Sequence, residues 1–406
     1  MKKPELLAPA GDRESLEAAI AFGADAVYIG GSLLQLRAKK AGFSDDDLRD
    51  AVKYAHERGV KVYVTVNSFA FNDEIPLAGQ YAKKLYSFGV DAAIISDIGV
   101  MSEFHRCCPE LDIHVSTQAN TMNYAAARVY YEMGAKRIVL ARELSIDEIK
   151  KLRANIPEEL ELEAFVHGAM CMSHSGRCIL SSWFVNRSGN RGECSQPCRW
   201  NYALVEEKRP GEYFPIIEEE GATTVLSSHD LNCIGILDEL RGAGVTSFKI
   251  EGRMKTAYYV ATCVNAYRKA LDGTDTIEHC REELNAIKHR PYNTGFYYGE
   301  VAKNHNNSGE YTQDAVFIAN VLDCSDSVAT LRQRNRFLVG DTLEVLSPHT
   351  SGLSFKVTKI ITEDGGERDS APHPNEIIRV PCDIELHAGD FLRRRGGQGW
   401  SGRRRE

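Results

Sequence analysis

Over the first 290 residues, short and nearly continuous apolar runs alternate with longer amphipathic stretches. The runs are ELLAPA (5–10), DAVYIGG (25–31), KVYVTVN (61–67), AAIISD (92–97), DIHVST (112–117), RIVLARE (137–143), LEAFVHG (162–168) and TSFKIEGR (246–253). Runs this short, rich in β-branched residues, suit strands buried on both faces. The stretches between them, such as SLEAAIAFGA, DDLRDAVKYAHERG and NYAAARVYYEMG, place apolar residues on one helical face, and several finish at Gly. Ser145 with Glu148 three residues on is a capping-box signal. Eight strand–helix units predict a (β/α)₈ TIM-barrel-like domain over 1–290, with a doubly wound open sheet as the alternative. One long insertion, 169–233, interrupts the alternation. It leaves the C-terminal end of the seventh strand, the face where such barrels carry their active sites.

The period changes after a last helix at Tyr258–Gly273. Between 296 and 395 the alternation has a period of two, with Gly and Asp at the turns: DAVFIANVLDC, SVATLRQRNRF, GDTLEVLSP, LSFKVTKIITEDGG, EIIRVPC and GDFLRRR. This predicts a small C-terminal β-barrel domain. The last residues, 396–406, are basic and Gly-rich and read as a flexible tail, either a solvated end or an RNA contact.

Composition narrows the function classes. The chain has 406 residues, 43% of them hydrophobic, which is ample for one large domain and a small one. A net charge of −8 argues against blanket nonspecific binding to nucleic acid, although it leaves room for a local basic patch. No apolar run is long enough to span a bilayer, and MKKPELLAPAGD lacks the apolar core of a secretory signal, so a cytoplasmic protein with no membrane partner is expected. The eleven cysteines are then reduced thiols or metal ligands.

Four of those thiols stand out. CMSHSGRC and CSQPCR place Cys171, Cys178, Cys194 and Cys198 inside the insertion, among Arg177, Arg187, Arg191 and Arg199. Their flanks are Ser, Gly, His and Arg, which is no core pattern, whereas Cys107, Cys108, Cys263, Cys280, Cys324 and Cys382 read as small buried hydrophobes. Cys233, ahead of an apolar stripe, reads the same way. Four clustered thiolates suit a soft metal centre. Cys194 and Cys198 match half of a zinc site, but Cys171 and Cys178 are spaced too widely for the other half. A [4Fe–4S] cluster also takes four thiolates and accepts irregular spacing. Spacing alone leaves zinc and iron–sulfur both open.

The run EAFVHGAMCMSHSGRC followed by GECSQPCRW resembles the signature of the peptidase U32 family, also called the collagenase-like protease family. PELLAPAGDRESLEAAIAFGADAVYIG, HVSTQANTMN and FKIEGRMK are similar to further segments of that family, and the resemblance extends to the C-terminal β-domain. The G-x-C-x₃-C-R pair looks closest to the branch of prephenate-dependent tRNA uridine 5-hydroxylases. The resemblance implies oxygen-independent hydroxylation of a tRNA wobble uridine at ring carbon 5, with prephenate as co-substrate and tRNA as partner. It also implies a [4Fe–4S] cluster on Cys171, Cys178, Cys194 and Cys198, and it raises that cofactor above zinc. Other branches act on ribosomal RNA or a quinone precursor, and the family name keeps a peptidase as the runner-up. The residues show no HExxH or GxSxG motif, so a peptidase would need a cysteine nucleophile with His167 or His174 as its base.

Polar residues at strand C-termini complete the expected site: Asn67, Asp97, Ser116, Gln118, Arg142, Glu143, His167, Glu251 and Arg253. Arg142 and Arg253 are candidates for carboxylate or phosphate recognition, against the alternative of ion pairs, Arg142 to the neighbours of Glu143 or Glu251 to Arg253 across the barrel. His167 is a candidate proton donor or a satisfied structural histidine. Glu251 joins them as a catalytic candidate. Gln118 and Asn120 have amides suited to a base edge or a helix cap, with capping favoured for Asn120 or Asn123. Trp183, Phe184 and Trp200 would either stack an unpaired base or pack the insertion onto the barrel.

Overall fold

The computed structural model describes residues 3–36, 42–171, 173–200, 203–204, 214–215, 229–299 and 311–396. Seven of the predicted runs form strands β1 (Glu5–Pro9), β2 (Ala26–Gly30), β3 (Lys61–Val66), β4 (Ala92–Ile95), β5 (Asp112–Val115), β6 (Ala135–Val139) and β7 (Glu161–Ala169). The eighth, Ser247–Ile250, pairs in parallel with β7 on one side and with β1 on the other. Each neighbouring pair from β1 to β7 is parallel as well, so eight strands close into the expected (β/α)₈ barrel. Leu7, Ala26, Tyr28, Tyr63, Ala92 and Ile94 form a small cluster of their own, separate from the large core that includes the helices.

The helices start where capping residues stop the strands' extended backbone. Asp12, Ser44, Asp97, Asn123, Ser145 and Thr256 each accept a backbone N–H of the first turn. Asn123 is thus the cap ahead of Tyr124–Glu132, and Ser145 accepts from Glu148 N–H at 3.3 Å, as the capping-box spacing predicts. Gly134 ends a helix at φ 94°, where a Cβ would also meet the His105 ring at 2.5 Å.

Two short strands extend the sheet beyond the predicted eight. Asp230–Asn232 runs antiparallel to the end of β7, and Tyr292–Asn293 adds in parallel to it. Buried Arg290 and Asp230 pair at 2.8 Å beside this annex. Strands of two and three residues carry no readable period, so the pattern missed them.

The C-terminal region is an antiparallel eight-stranded sheet with its own core around Ile318, Phe337, Leu343, Val380 and Leu392. It docks on the barrel's helices through Tyr258 stacked on Phe317 at 4.9 Å, and through Phe391 against Phe22 at 5.8 Å. Arg393 adds a 2.7 Å ion pair to Glu283. Among the described residues no helix is long and apolar enough to cross a membrane. The expected flexible tail, from residue 397 on, lies outside the described residues.

Candidate functional site

The N-terminal end of the barrel is packed with charge. Arg137 donates to Glu5 at 2.6 Å, to Glu161 at 2.6 Å and to Glu163 at 3.1 Å, and Lys249 Nζ reaches the other Glu163 oxygen at 2.8 Å. Burial pushes the Glu5 carboxyl up, but the Arg137 charge and hydrogen bonds from Arg137, Tyr63 and Ser247 outweigh it and hold it below the usual range. This network closes one end, so the cavity opens at the other.

A cavity of ≈ 250 Å³ lies at the C-terminal ends of the strands. Thr65, Asn67, Ser116, Gln118, Arg142, Glu251 and Arg253 line it from the barrel, with Tyr28, Phe165 and Lys249 deeper in. The cysteine insertion folds over it, and Cys171, Cys178, Cys194 and Cys198 all line the same space. Lys249 and Tyr28 are additions that the pattern did not single out. The readable signal for Lys249 was a lone charge inside the apolar run SFKI.

Arg142 is held on three sides. It donates to Ala169 O at 3.1 Å, pairs with Glu251 at 3.3 Å, and lies 3.9 Å over the Phe165 ring. The ion-pair alternative is therefore present, but across the mouth to Glu251 and not to a neighbour of Glu143. Arg142 Nε is buried with no hydrogen-bond partner. Arg253 is 5% exposed and donates to Thr65 Oγ1.

His167 does not line the cavity, contrary to the expectation for a strand-end residue. The register between β7 and Ser247–Ile250 shifts by one residue here: Phe165 pairs with Lys249, but His167 pairs with Ile250. The irregularity turns His167 away from the mouth. Its ring lies 5.5 Å from those of Tyr267 and Tyr292 and 6.1 Å from that of Tyr259. Burial pushes its pKa down to about 3, so it is neutral at physiological pH. Asp97 also misses the cavity lining. It caps Ile98–Cys107 by accepting from Gly99 N–H at 2.8 Å and Val100 N–H at 3.2 Å.

The insertion is strapped to the barrel by the charges expected to seek anions. Arg191 makes a two-pronged pair with Glu74, both arms at 2.9 Å, and donates to Phe69 O at 2.6 Å. Arg177 donates to Gln118 O at 2.9 Å. Glu143 accepts from both the N–H and the hydroxyl of Ser175 at 2.6 Å, holding that residue at φ 43°, a left-handed conformation that a non-glycine adopts only under constraint. Asn120 is itself left-handed and holds His174 Nδ1 at 2.9 Å. Trp183 is 80% exposed, and Phe184 and Trp200 lie beside each other with ring centroids 6.3 Å apart. Packing onto the barrel therefore does not describe Trp183.

Two of the cysteines accept backbone hydrogen bonds: Cys178 Sγ accepts from Leu180 N–H and Cys194 Sγ from Gln196 N–H, each at 3.4 Å and each two residues on. Gly189 lies against Cys194, where an added Cβ would stand 3.9 Å from Sγ. Among the described residues no three His, Cys, Asp or Glu side chains converge tightly enough to cage a single ion. Cys171, Cys178, Cys194 and Cys198 share the cavity wall.

Residues 11–307 match the model of peptidase family U32, and residues 313–393 match that of the U32 C-terminal domain. The chain belongs to peptidase family U32. It is 36% identical to tRNA hydroxylation protein P1 of Bacillus subtilis, over 97% of this chain and 95% of that protein. It is 33% identical to tRNA hydroxylation protein P of Escherichia coli, over 98% of both. It is also 31% identical to a protein named collagenase from Porphyromonas gingivalis, over 88% of this chain and 89% of that one. U32 membership therefore spans both RNA and peptide chemistries by name, and the site has to separate them.

Proposed function

We propose that this chain is an RNA hydroxylase that oxidises a tRNA wobble uridine at ring carbon 5, with prephenate as co-substrate and a [4Fe–4S] cluster on Cys171, Cys178, Cys194 and Cys198. The observation that carries this reading is that four thiols, two guanidinium groups and three side-chain amides line one cavity at the barrel mouth. The near full-length likeness to proteins named for tRNA hydroxylation supports it.

Four cysteines on one cavity supply the donor set that a [4Fe–4S] cluster takes. A cluster held there supplies one-electron redox chemistry. The remaining roles belong to side chains. Arg142 and Arg253 offer planar cationic forks for the carboxylates of prephenate, and Glu251 holds Arg142 in orientation. The insertion covers the mouth and excludes water from the reacting base. Trp183, exposed on the same segment, offers an aromatic face to a base that has left its helix. Replacing C5–H by C5–OH with oxygen at the level of water releases two electrons and two protons, so an external electron acceptor is a required co-reactant.

A peptidase is supported less well by the geometry. Among the described residues Cys171, Cys178 and Cys194 make no hydrogen bond to a histidine, and His167 faces away. The test is anaerobic incubation of the purified chain with unmodified tRNA, prephenate and an electron acceptor, followed by mass spectrometry of the digested nucleosides. A uridine that has gained one oxygen atom is expected. An unchanged tRNA, with cleavage of a denatured collagen probe in parallel, overturns the reading in favour of the peptidase.

A further inference from the structure

Gln118 is 2% exposed and lines the cavity, yet neither its Nε2 nor its Oε1 has a hydrogen-bond partner. Its backbone, by contrast, is fixed on every side. Ser116 Oγ accepts the Gln118 N–H at 3.3 Å, Arg177 Nε donates to the Gln118 carbonyl at 2.9 Å, and Thr117 Oγ1 donates to Leu140 O at 2.9 Å. A short turn, Thr117–Ala119, is thus clamped between β5, β6 and the cysteine insertion, and the buried amide at the cavity wall is the part of Gln118 left without a partner. Burying a donor and an acceptor with nothing to bond is unfavourable, and a buried group of this kind reads as one awaiting a ligand.

The chemistry of the amide identifies the ligand's edge. An amide presents one donor and one acceptor side by side. A carboxylate offers acceptors only and would leave Oε1 without a partner. A pyrimidine offers both: in uracil, N3–H donates and the adjacent carbonyl accepts. The guanidinium groups of Arg142 and Arg253 line the same cavity and suit the carboxylates. We infer that Gln118 is the base-reading residue of the site, making a two-pronged hydrogen bond to the N3–H and a neighbouring carbonyl of the uracil ring, while the cations take the second substrate. This assignment rests on the proposed RNA hydroxylase reading and divides that site between its two substrates.

The test compares wild type, Gln118→Leu and Gln118→Glu on unmodified tRNA, and wild type on the same tRNA ligated to carry N3-methyluridine at the target position. Gln118→Leu is expected to lower kcat/KM for the uridine tRNA by about 10- to 100-fold, with Gln118→Glu also impaired because it cannot donate to the carbonyl. The prephenate KM should stay within about two-fold, and the tRNA Kd, dominated by phosphate contacts, within about three-fold. Wild type should reject N3-methyluridine by a factor similar to the loss in Gln118→Leu. Unchanged turnover in Gln118→Leu overturns the assignment. So does acceptance of N3-methyluridine by wild type, an arm that needs no substitution and so is immune to misfolding. A raised prephenate KM with tRNA kinetics intact would move the amide to the other substrate. Wild type inactive on uridine tRNA would instead overturn the hydroxylase reading, and the assignment with it.

Discussion

At the N-terminal end of the barrel, Arg137 donates to Glu5, Glu161 and Glu163, and Lys249 closes on the far oxygen of Glu163. At the C-terminal end of the same strands, Gln118 keeps both amide atoms without a partner and Arg142 keeps its Nε so. Both ends carry buried charged or amide groups. They differ in whether those charged and amide groups find partners within the chain. A closed network specifies structure, whereas an incomplete one tolerates the cost of unmade bonds because a ligand completes it. The same contrast holds for the arginines of the cysteine insertion: Arg177 and Arg191 look like anion seekers in the sequence but are consumed in holding the insertion down.

The sharpest way to break the comparison is Arg137→Leu. It leaves Glu5 and Glu163 as buried charges without their main partner and should cost about 3–5 kcal/mol of stability. Denaturant unfolding reads this, and hydroxylation per folded molecule should be unchanged. A stability within about 1 kcal/mol of wild type would mean that the closed network is not structural.

Acid provides the next test. His114 and His167 are buried, and burial depresses both pKa values, to about 3 for His167. The unfolded chain takes up protons at these rings below pH ~6.5, while the folded chain does not. Each ring's contribution is therefore complete above that pH and is lost as pH falls below it, for His167 continuing down toward about 3. His167→Phe should remove that ring's part of the slope and leave the mouth chemistry in place. Loss of hydroxylation in a folded His167→Phe protein would contradict the placement of this ring outside the cavity.

The smallest expected effect is at the strap. Arg191→Ala removes the two-pronged pair with the partly exposed Glu74, which should lower global stability by only about 1 kcal/mol. Local opening should be plainer, as faster proteolysis across residues 171–200. Equal cleavage rates in wild type and variant would mean that Arg191 does not hold the insertion closed.

How much of this was readable in the chain follows from what the pattern encodes. The eight barrel strands announce themselves because both of their faces are apolar, and Ser145 and Asn123 announce helices because capping is local chemistry. The cysteines were readable as a cluster by spacing and flanks, and the folded chain brings all four to one cavity. His167 was unreadable because one shifted register position reverses the facing that strand alternation implies. Asp97 looked like a mouth residue and is a cap, since strand ends and helix starts coincide in a tight βα turn. Lys249 was missed because a charge inside an apolar run is informative only once its partner, Glu163 on the neighbouring strand, is known.

The central claim is that the cysteine-lined mouth oxidises RNA. Its most direct test is nucleoside mass spectrometry on tRNA from cells that lack every hydroxylase of this kind and carry either the wild-type chain or Cys194→Ser. Wild type should restore a hydroxylated uridine or a nucleoside derived from it, and Cys194→Ser, present at equal level, should restore none. A nucleoside profile that is identical with wild type, with the variant and with neither would contradict the account.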